Sequence, residues 1–254
     1  MAASPGHVAI LGASAGLGAA LASHHYRQGD AVLAVARRRA RLAQLATAVG
    51  AASDDRWRQA VLDLTEPADL DTLVGELERC APLRAVYFVA AANEVTRGGP
   101  PSVRLQVIER YHRLLFVSWV AVAEAADEAG LIGAGGAFVA ISSIAAGVPF
   151  AGLDLYGAGK AALEAWARTA RETSAVRHVV VRPGRFPSDF FEPSEFDYDR
   201  LPHALAARIA NDVARGRHEI HLGDRRDRLA SLLGNAAQRI SSYYVKDASP
   251  ERSD

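Results

Sequence analysis

A tyrosine and a lysine four residues apart, Tyr156-Gly157-Ala158-Gly159-Lys160, are the pair in this chain with the widest chemical reach. Helical spacing puts residues i and i+4 on one face, so the phenol and the ammonium can enter the same crevice. A nearby cation favours the phenolate and lowers a phenol from about 10 toward working pH. That makes Tyr156 a general acid for a developing alkoxide, or a base in the reverse direction. Ser143 closes the strand-like run Ala140-Ile141-Ser142-Ser143, and its hydroxyl can hold a carbonyl oxygen. Taken alone, a Tyr-x-x-x-Lys pair is a weak motif, and most such pairs are solvated helix faces. Its weight comes from the strand-end serine and from composition. Among 29 basic residues the only lysines are Lys160 and Lys246, so a pKa-tunable ammonium is kept where arginine is the rule.

A second constellation lies near the amino end. The first apolar run is followed by Gly12-Ala13-Ser14-Ala15-Gly16-Leu17-Gly18, which opens an Ala/Leu-rich helical pattern. Glycines there allow a sharp turn and close approach of a pyrophosphate to a helix amino end. The strand–turn–helix context separates this from an ordinary glycine turn. The second strand ends Val35-Ala36-Arg37-Arg38-Arg39, with no acid. A carboxylate at that point would bind the ribose hydroxyls of NAD, whereas arginines pair with a 2′-phosphate. An arginine-rich helix start is the alternative, although cations there oppose the helix dipole. The expectation is NADPH, with Arg37 and then Arg38 on the phosphate. Asp63, in Val61-Leu62-Asp63-Leu64, either accepts a bond from an adenine amino group or caps the helix that follows.

The elements that must position these residues are legible as alternating short apolar runs and helical patterns. Strands are expected at 7–11, 31–36, 59–64, 84–90, 137–142, 176–182 and 218–222. Helices are expected at 16–28, 38–49, from Pro67 toward Cys80, from Pro100 and Pro101 to about Ala129, and at 153–173, 201–215 and 225–240. Continuous apolar strands between helices imply a parallel sheet covered on both faces, an α/β doubly wound fold of Rossmann type. The ligand crevice of such a fold lies at the carboxyl ends of the strands. The 254 residues read as one domain with a polar tail from about 243.

The glycine spacing, Ser143, the Tyr156–Lys160 pair and Arg182-Pro183-Gly184 after the sixth strand together resemble the short-chain dehydrogenase/reductase family, in its short, single-domain branch. The match runs in order from about residue 7 to 190. The resemblance implies a seven-stranded parallel sheet, NAD(P)(H) and ordered hydride transfer, which with the arginines after the second strand makes NADP(H) the expected cofactor. It implies Tyr156 as acid/base, Ser143 as the residue polarising the substrate, and Lys160 as holder of the nicotinamide ribose and depressor of the tyrosine pKa. Ile141 and Pro183 would line the nicotinamide site, and Ser188 would contact the carboxamide. Leu64, Ala90, Ala91 and Gly184 complete the expected cofactor contacts. Two departures stand out. Ala90-Ala91-Ala92-Asn93 replaces the usual Asn-Asn-Ala-Gly, and Leu115 replaces an asparagine that holds a water linking the lysine to solvent. Either another proton path exists or catalysis is slow or lost.

Composition bounds the remaining readings. Acidic and basic residues cancel at 29 each, so no global field recruits nucleic acid or an anionic membrane. No apolar run approaches the roughly 20 residues of a membrane span. The single Cys80 and the absence of a signal-peptide pattern point to a cytoplasmic protein. The segment 186–199, with Phe186, Phe190, Phe191, Phe196 and Tyr198 among five acids, reads as a substrate lid or as a self-packed surface loop. Loop 93–101 is a second candidate wall. The expected partner is a small carbonyl or alcohol, and by resemblance a second or fourth copy of the chain. A silent nucleotide-binding relative and a nicotinamide-using isomerase are the competing functions.

Overall fold

The structure, a computed structural model, describes residues 6–92, 100–186, 201–224 and 227. Seven strands form one parallel sheet in the order β3-β2-β1-β4-β5-β6-β7. They are β1 His7–Leu11, β2 Ala31–Ala36, β3 Trp57–Val61, β4 Leu83–Phe88, β5 Ile132–Ile141, β6 Arg177–Arg182 and β7 Glu219–His221. Helices α1 Gly16–Arg27, α2 Arg39–Ala48, α3 Pro67–Cys80, α4 Pro101–His112, α5 Ser118–Glu128, α6 Asp154–Ala170 and α7 Pro202–Ala214 connect them. Strand order reverses between β1 and β4, the switch point where a doubly wound sheet opens its crevice.

Both faces of the sheet are apolar, because successive side chains point to opposite sides. On one side Ile10, Leu21, Leu42 and Ile209 pack together; on the other Leu11, Leu33, Phe88, Trp119, Phe138 and Leu163 do. Burial on both faces explains why the strands read as unbroken apolar runs rather than alternating ones. The register levels the carboxyl ends: Leu11 lies opposite Val35 and Phe88, and Ile141 opposite Val181. The residues that follow each strand, including Gly12, Arg37, Ser143 and Pro183, therefore emerge along one edge of the sheet.

Three elements depart from expectation. The long helix from Pro101 is interrupted by a π-helical turn over Arg113–Val117, which contains Leu115. β5 begins at Ile132, because four residues (133–136) loop out between the Leu83–Ile132 and Ala85–Ala137 pairs. That glycine-containing bulge carries no apolar periodicity. β3 runs Trp57–Val61 rather than 59–64, and its exposed Arg58 and Gln59 fit its place as the edge strand. The apolar stretch around Leu114 is largely core: Leu114, Leu115, Trp119 and Val122 are buried within the chain, whereas Val117 is exposed. The expected helix 225–240 lies outside the described residues apart from Asp227, as do residues 93–99, 187–200 and the polar tail.

One core residue makes the fold acid-sensitive. His178 on β6 is 2% exposed, and neither ring nitrogen has a hydrogen-bond partner among the described residues. It packs between Phe138 and Trp166, at 5.3 and 5.1 Å between ring centroids. Burial pushes its pKa down from 6.5 to about 4. The unfolded chain takes up a proton that the fold refuses, so stability present above 6.5 is lost as pH falls toward about 4. A difference of this size amounts to on the order of 3 kcal/mol. Urea unfolding of the parent and of His178→Leu at pH 7.5 and pH 4.5 checks it. The variant is expected to lose less stability over that interval, and equal losses would assign the acid sensitivity elsewhere.

Candidate active site

The glycine turn is shaped by backbone meeting backbone. Gly12 has φ of +109°, and a Cβ there would stand 2.5 Å from the Ala90 nitrogen. A Cβ on Gly18 would stand 2.1 Å from the Gly12 carbonyl oxygen, so α1 can begin this close to β1 only with glycine there. The Gly12 and Ala13 amides donate to the Val35 carbonyl at 2.8 and 3.0 Å, and the Val89 and Ala90 amides to that of Leu11, both at 2.8 Å. The turn is thus tied to the ends of β2 and β4. α1 starts at Gly16 after Ala15, with no side-chain cap and no acid in its first turn. Its unsatisfied amides and positive dipole end suit an anionic group such as a pyrophosphate.

Beside this turn, the Arg38 Nε and Nη2 both donate to the Ser14 hydroxyl, at 3.0 and 2.9 Å. Arg37, also exposed, reaches the Asp63 carboxylate at 3.4 Å. Asp63 is not the helix cap: that position is Glu66, and Asp63 instead accepts from the Thr65 amide and hydroxyl at 3.0 and 2.8 Å. Burial raises the Asp63 carboxyl, but the Thr65 bonds and the Arg37 charge outweigh it and the net shift is downward. Two guanidinium groups and a hydroxyl therefore stand together past the end of β2, where Leu64, itself buried, follows Asp63. Ala90, half-buried, and Ala91, exposed, follow β4 at the same edge.

Ser143, Tyr156 and Lys160 come together at the carboxyl end of β5. Ser143 caps the short 3-10 turn Ile144–Ala146, its hydroxyl oxygen accepting from the Ala145 amide at 3.1 Å. That leaves the hydroxyl proton for Tyr156, to which Ser143 is hydrogen-bonded. The Lys160 ammonium is 1% exposed, donates to the Ile141 carbonyl at 2.7 Å and lies 5.7 Å from the centre of the Tyr156 ring. Glycines beside both residues let α6 approach its neighbours. A Cβ on Gly157 would meet the Ala145 carbonyl oxygen at 2.6 Å, and one on Gly159 would meet Leu115 at 2.9 Å. The π turn therefore delivers an apolar side chain, fully buried, against the helix face next to Lys160.

The electrostatics correct one expectation. On balance the phenol is raised, not lowered: burial pushes Tyr156 up from 10.0 to about 12, and the Ser143 bond offsets this only in part. Burial also pushes Lys160 down from 10.5 to about 8, while the Glu164 carboxylate pulls it back upward. Tyr156 is therefore a protonated donor at neutral pH. Of the other expected contacts, Pro183 is buried and Gly184 half-buried directly after β6, beside the end of β5, whereas Ser188 lies outside the described residues. Sequence reasoning missed Glu164, Ser142 and Arg182 as a buried cluster behind the site. The only signal was an acid one turn after Lys160 in an otherwise Ala/Leu-rich stretch.

Lysine carrying carbon-13 at Cε gives a spectrum of two residues, Lys160 and Lys246, and Lys246→Arg leaves one. The Lys160 signal is expected to titrate with a midpoint near 8. A midpoint near the ordinary 10.5 would show that the ammonium is not held in a dry site.

The profile of the family described as short chain dehydrogenase matches residues 6–197. No curated protein matches the chain. Among solved structures, a short-chain dehydrogenase from Sphingobium yanoikuyae in complex with NADPH is 22% identical, with a TM-score of 0.73 over 98% of each chain. One from Streptomyces avermitilis is 22% identical, with a TM-score of 0.74 over 98% of this chain and 100% of that one. The bulky-bulky ketone specific alcohol dehydrogenase from Comamonas testosteroni is 19% identical, with a TM-score of 0.74 over 99% of this chain and 98% of the other. At these identities the likeness is one of fold. With the family match spanning most of the chain and a seven-stranded parallel sheet beneath it, the protein belongs to the short chain dehydrogenase family of oxidoreductases.

Proposed function

We propose that the protein is an NADPH-dependent reductase that interconverts a small carbonyl compound and its alcohol, with Tyr156 as acid/base. The observation that carries this reading is a phenol hydrogen-bonded to Ser143 above a buried ammonium, at the carboxyl edge of a parallel sheet. The nicotinamide ring, when bound, supplies the hydride in one direction and accepts it in the other. Tyr156 gives its proton to the carbonyl oxygen as that oxygen becomes an alkoxide, and Ser143 donates a hydrogen bond to the same oxygen. Lys160 stabilises the phenolate left behind and holds the nicotinamide ribose. A tyrosine that is protonated at neutral pH is in the form that the reducing direction requires.

For the cofactor, Gly12, Ser14, Ala15, Gly16, Leu17 and Gly18 would cradle the pyrophosphate, and Arg37, Arg38 and the Ser14 hydroxyl would take the 2′-phosphate. Asp63 and Leu64 would border the adenine. Ala90, Ala91, Ile141, Pro183, Gly184 and Ser188 would border the nicotinamide half. The Sphingobium neighbour, which carries NADPH, supports this assignment. The Comamonas neighbour's ketone specificity supports a carbonyl substrate. A cytoplasmic location fits the single, buried Cys80 and the lack, among the described residues, of any helix able to cross a membrane. Homodimers or homotetramers built on the helices around α4, α5 and α6 fit the exposed Val103, Leu105 and Val117.

Leu115 favours a second reading, a weak or silent relative, because its side chain cannot bond a relay water where it packs on Gly159. Following nicotinamide absorbance against a panel of ketones separates the two, and turnover excludes the silent form.

Two outcomes test the leading reading. Replacing Arg37 with Asp is expected to weaken NADPH binding by on the order of 1–3 kcal/mol, the scale of a lost charge-assisted bond. The parent binding NADH and NADPH equally tightly would overturn the cofactor assignment. Tyr156→Phe is expected to lower turnover roughly 10²–10⁴-fold with cofactor affinity unchanged. Undiminished turnover in that variant would remove Tyr156 from the chemistry.

A further inference from the structure

Behind the catalytic face lies a charged cluster that the mechanism above does not use. Glu164 sits one turn after Lys160 on α6 and is 2% exposed. Its Oε1 accepts from the Ser142 hydroxyl and from the Arg182 Nε, both at 2.6 Å. Its Oε2 accepts from the Arg182 Nη2 and, at 2.9 Å, from Arg168. Ser142 and Arg182 are themselves buried, while Arg168 reaches out to Glu219 at 3.1 Å. Each partner stands next to a residue of the site. Ser142 precedes Ser143, Arg182 precedes Pro183 and Gly184, and Glu164 shares a helix face with Lys160.

A buried carboxylate accepting four hydrogen bonds is a demanding arrangement. The Coulombic gain of a buried ion pair is offset by desolvation, and apolar residues of similar volume often hold a fold equally well. Stability alone therefore does not account for it. What an apolar cluster cannot supply is direction: the bonds fix the azimuth of α6 and the ends of two strands at once.

We propose that Glu164 is a positioning residue of the active site, whose carboxylate ties the ends of β5 and β6 to α6 and so sets Ser143, Tyr156 and Lys160 against the Pro183–Gly184 turn. The inference rests on the assignment of those three residues made above. Glu164 also faces Lys160 electrostatically and raises its proton affinity. The groups around Lys160 are Tyr156 and Glu164 on its own helix, the Ile141 carbonyl from β5 and aliphatic Leu115 from the π turn beside Gly159. Glu164 is thus its charged neighbour among the described residues.

The test compares Glu164→Gln, Ser142→Ala and the paired change Glu164→Leu with Arg182→Met, each in the full chain. The paired variant removes both charges at similar volume, and Arg168 retains Glu219. Three quantities are measured: the urea midpoint, the carbon-13 titration of Lys160, and kcat and KM on the ketone that the parent reduces best. In the paired variant the urea midpoint is expected to stay near that of the parent, while Lys160 loses its proton at lower pH. There kcat should fall on the order of 10–100-fold with a smaller change in KM, as for a displaced reacting group. Ser142→Ala, which leaves the charges paired, is expected to lower kcat several-fold with the Lys160 midpoint unchanged. A folded paired variant with the parent's kcat and Lys160 titration would overturn the proposal, as would a Ser142→Ala protein with the parent's kcat should the charge variants not fold. If the parent reduces no ketone, the assigned activity fails, and the Lys160 titration and NADPH affinity of the same variants still decide whether Glu164 shapes the site.

Discussion

Placing an ammonium group in the interior of a protein costs several kcal/mol unless dipoles and charges around it compensate, and much of the active face here is arranged around one such group. Lys160 is 1% exposed, bonded to the Ile141 carbonyl and lying near the ring of Tyr156. The carbonyl is available because β5 ends at Ile141, leaving its last peptide oxygen facing α6. The compensation is incomplete, so the ammonium holds its proton less tightly than in water. A cation in that state responds to small changes around it, which suits the role proposed for it beside a phenolate formed during turnover.

Close packing makes that burial possible. α6 contacts the 3-10 turn after Ser143 on one side and the π turn on the other, and in both places a glycine removes the Cβ that would hold the elements apart. The extra residue of a π turn shifts the helix face locally, which turns Leu115 onto Gly159. A leucine in that position dries the lysine side of the site. The same close contact makes the geometry stiff, because core groups at this density have no adjacent space to move into.

Charge is used differently at the two ends of the crevice. Arg37 and Arg38 are exposed, and their pairings with Asp63 and Ser14 are of the kind that water screens to small net values. Such groups can exchange their partners for a phosphate. Arg182 is buried with Glu164 and cannot exchange. The first arrangement suits recognition of a ligand that comes and goes; the second suits a fixed framework. The tyrosine sits between them, partly buried and kept protonated at neutral pH by that burial.

The sequence by itself determined the parallel α/β architecture, the glycine turn and the Tyr156–Lys160 pair, whereas the meeting of Ser143 with that pair was legible only through the family resemblance. The first three are encoded locally: strands buried on both faces are continuous apolar runs, the turn needs glycines at set spacing, and i to i+4 spacing brings Tyr156 and Lys160 to one helix face. It did not determine the π turn inside the long helix, because an inserted residue leaves composition and amphipathic pattern almost unchanged. It did not reveal the β5 bulge, which has no apolar period, or the Asp63 turn, which competes with a cap of the same residue type. The Glu164–Arg182 pair joins residues 18 apart on different elements, and an acid and an arginine in a charged-residue background carry no mark of burial. Most telling is the tyrosine. From sequence, the neighbouring lysine is expected to lower its pKa; in the fold, burial raises it, because desolvation depends on everything packed around the phenol and only the tertiary structure decides that.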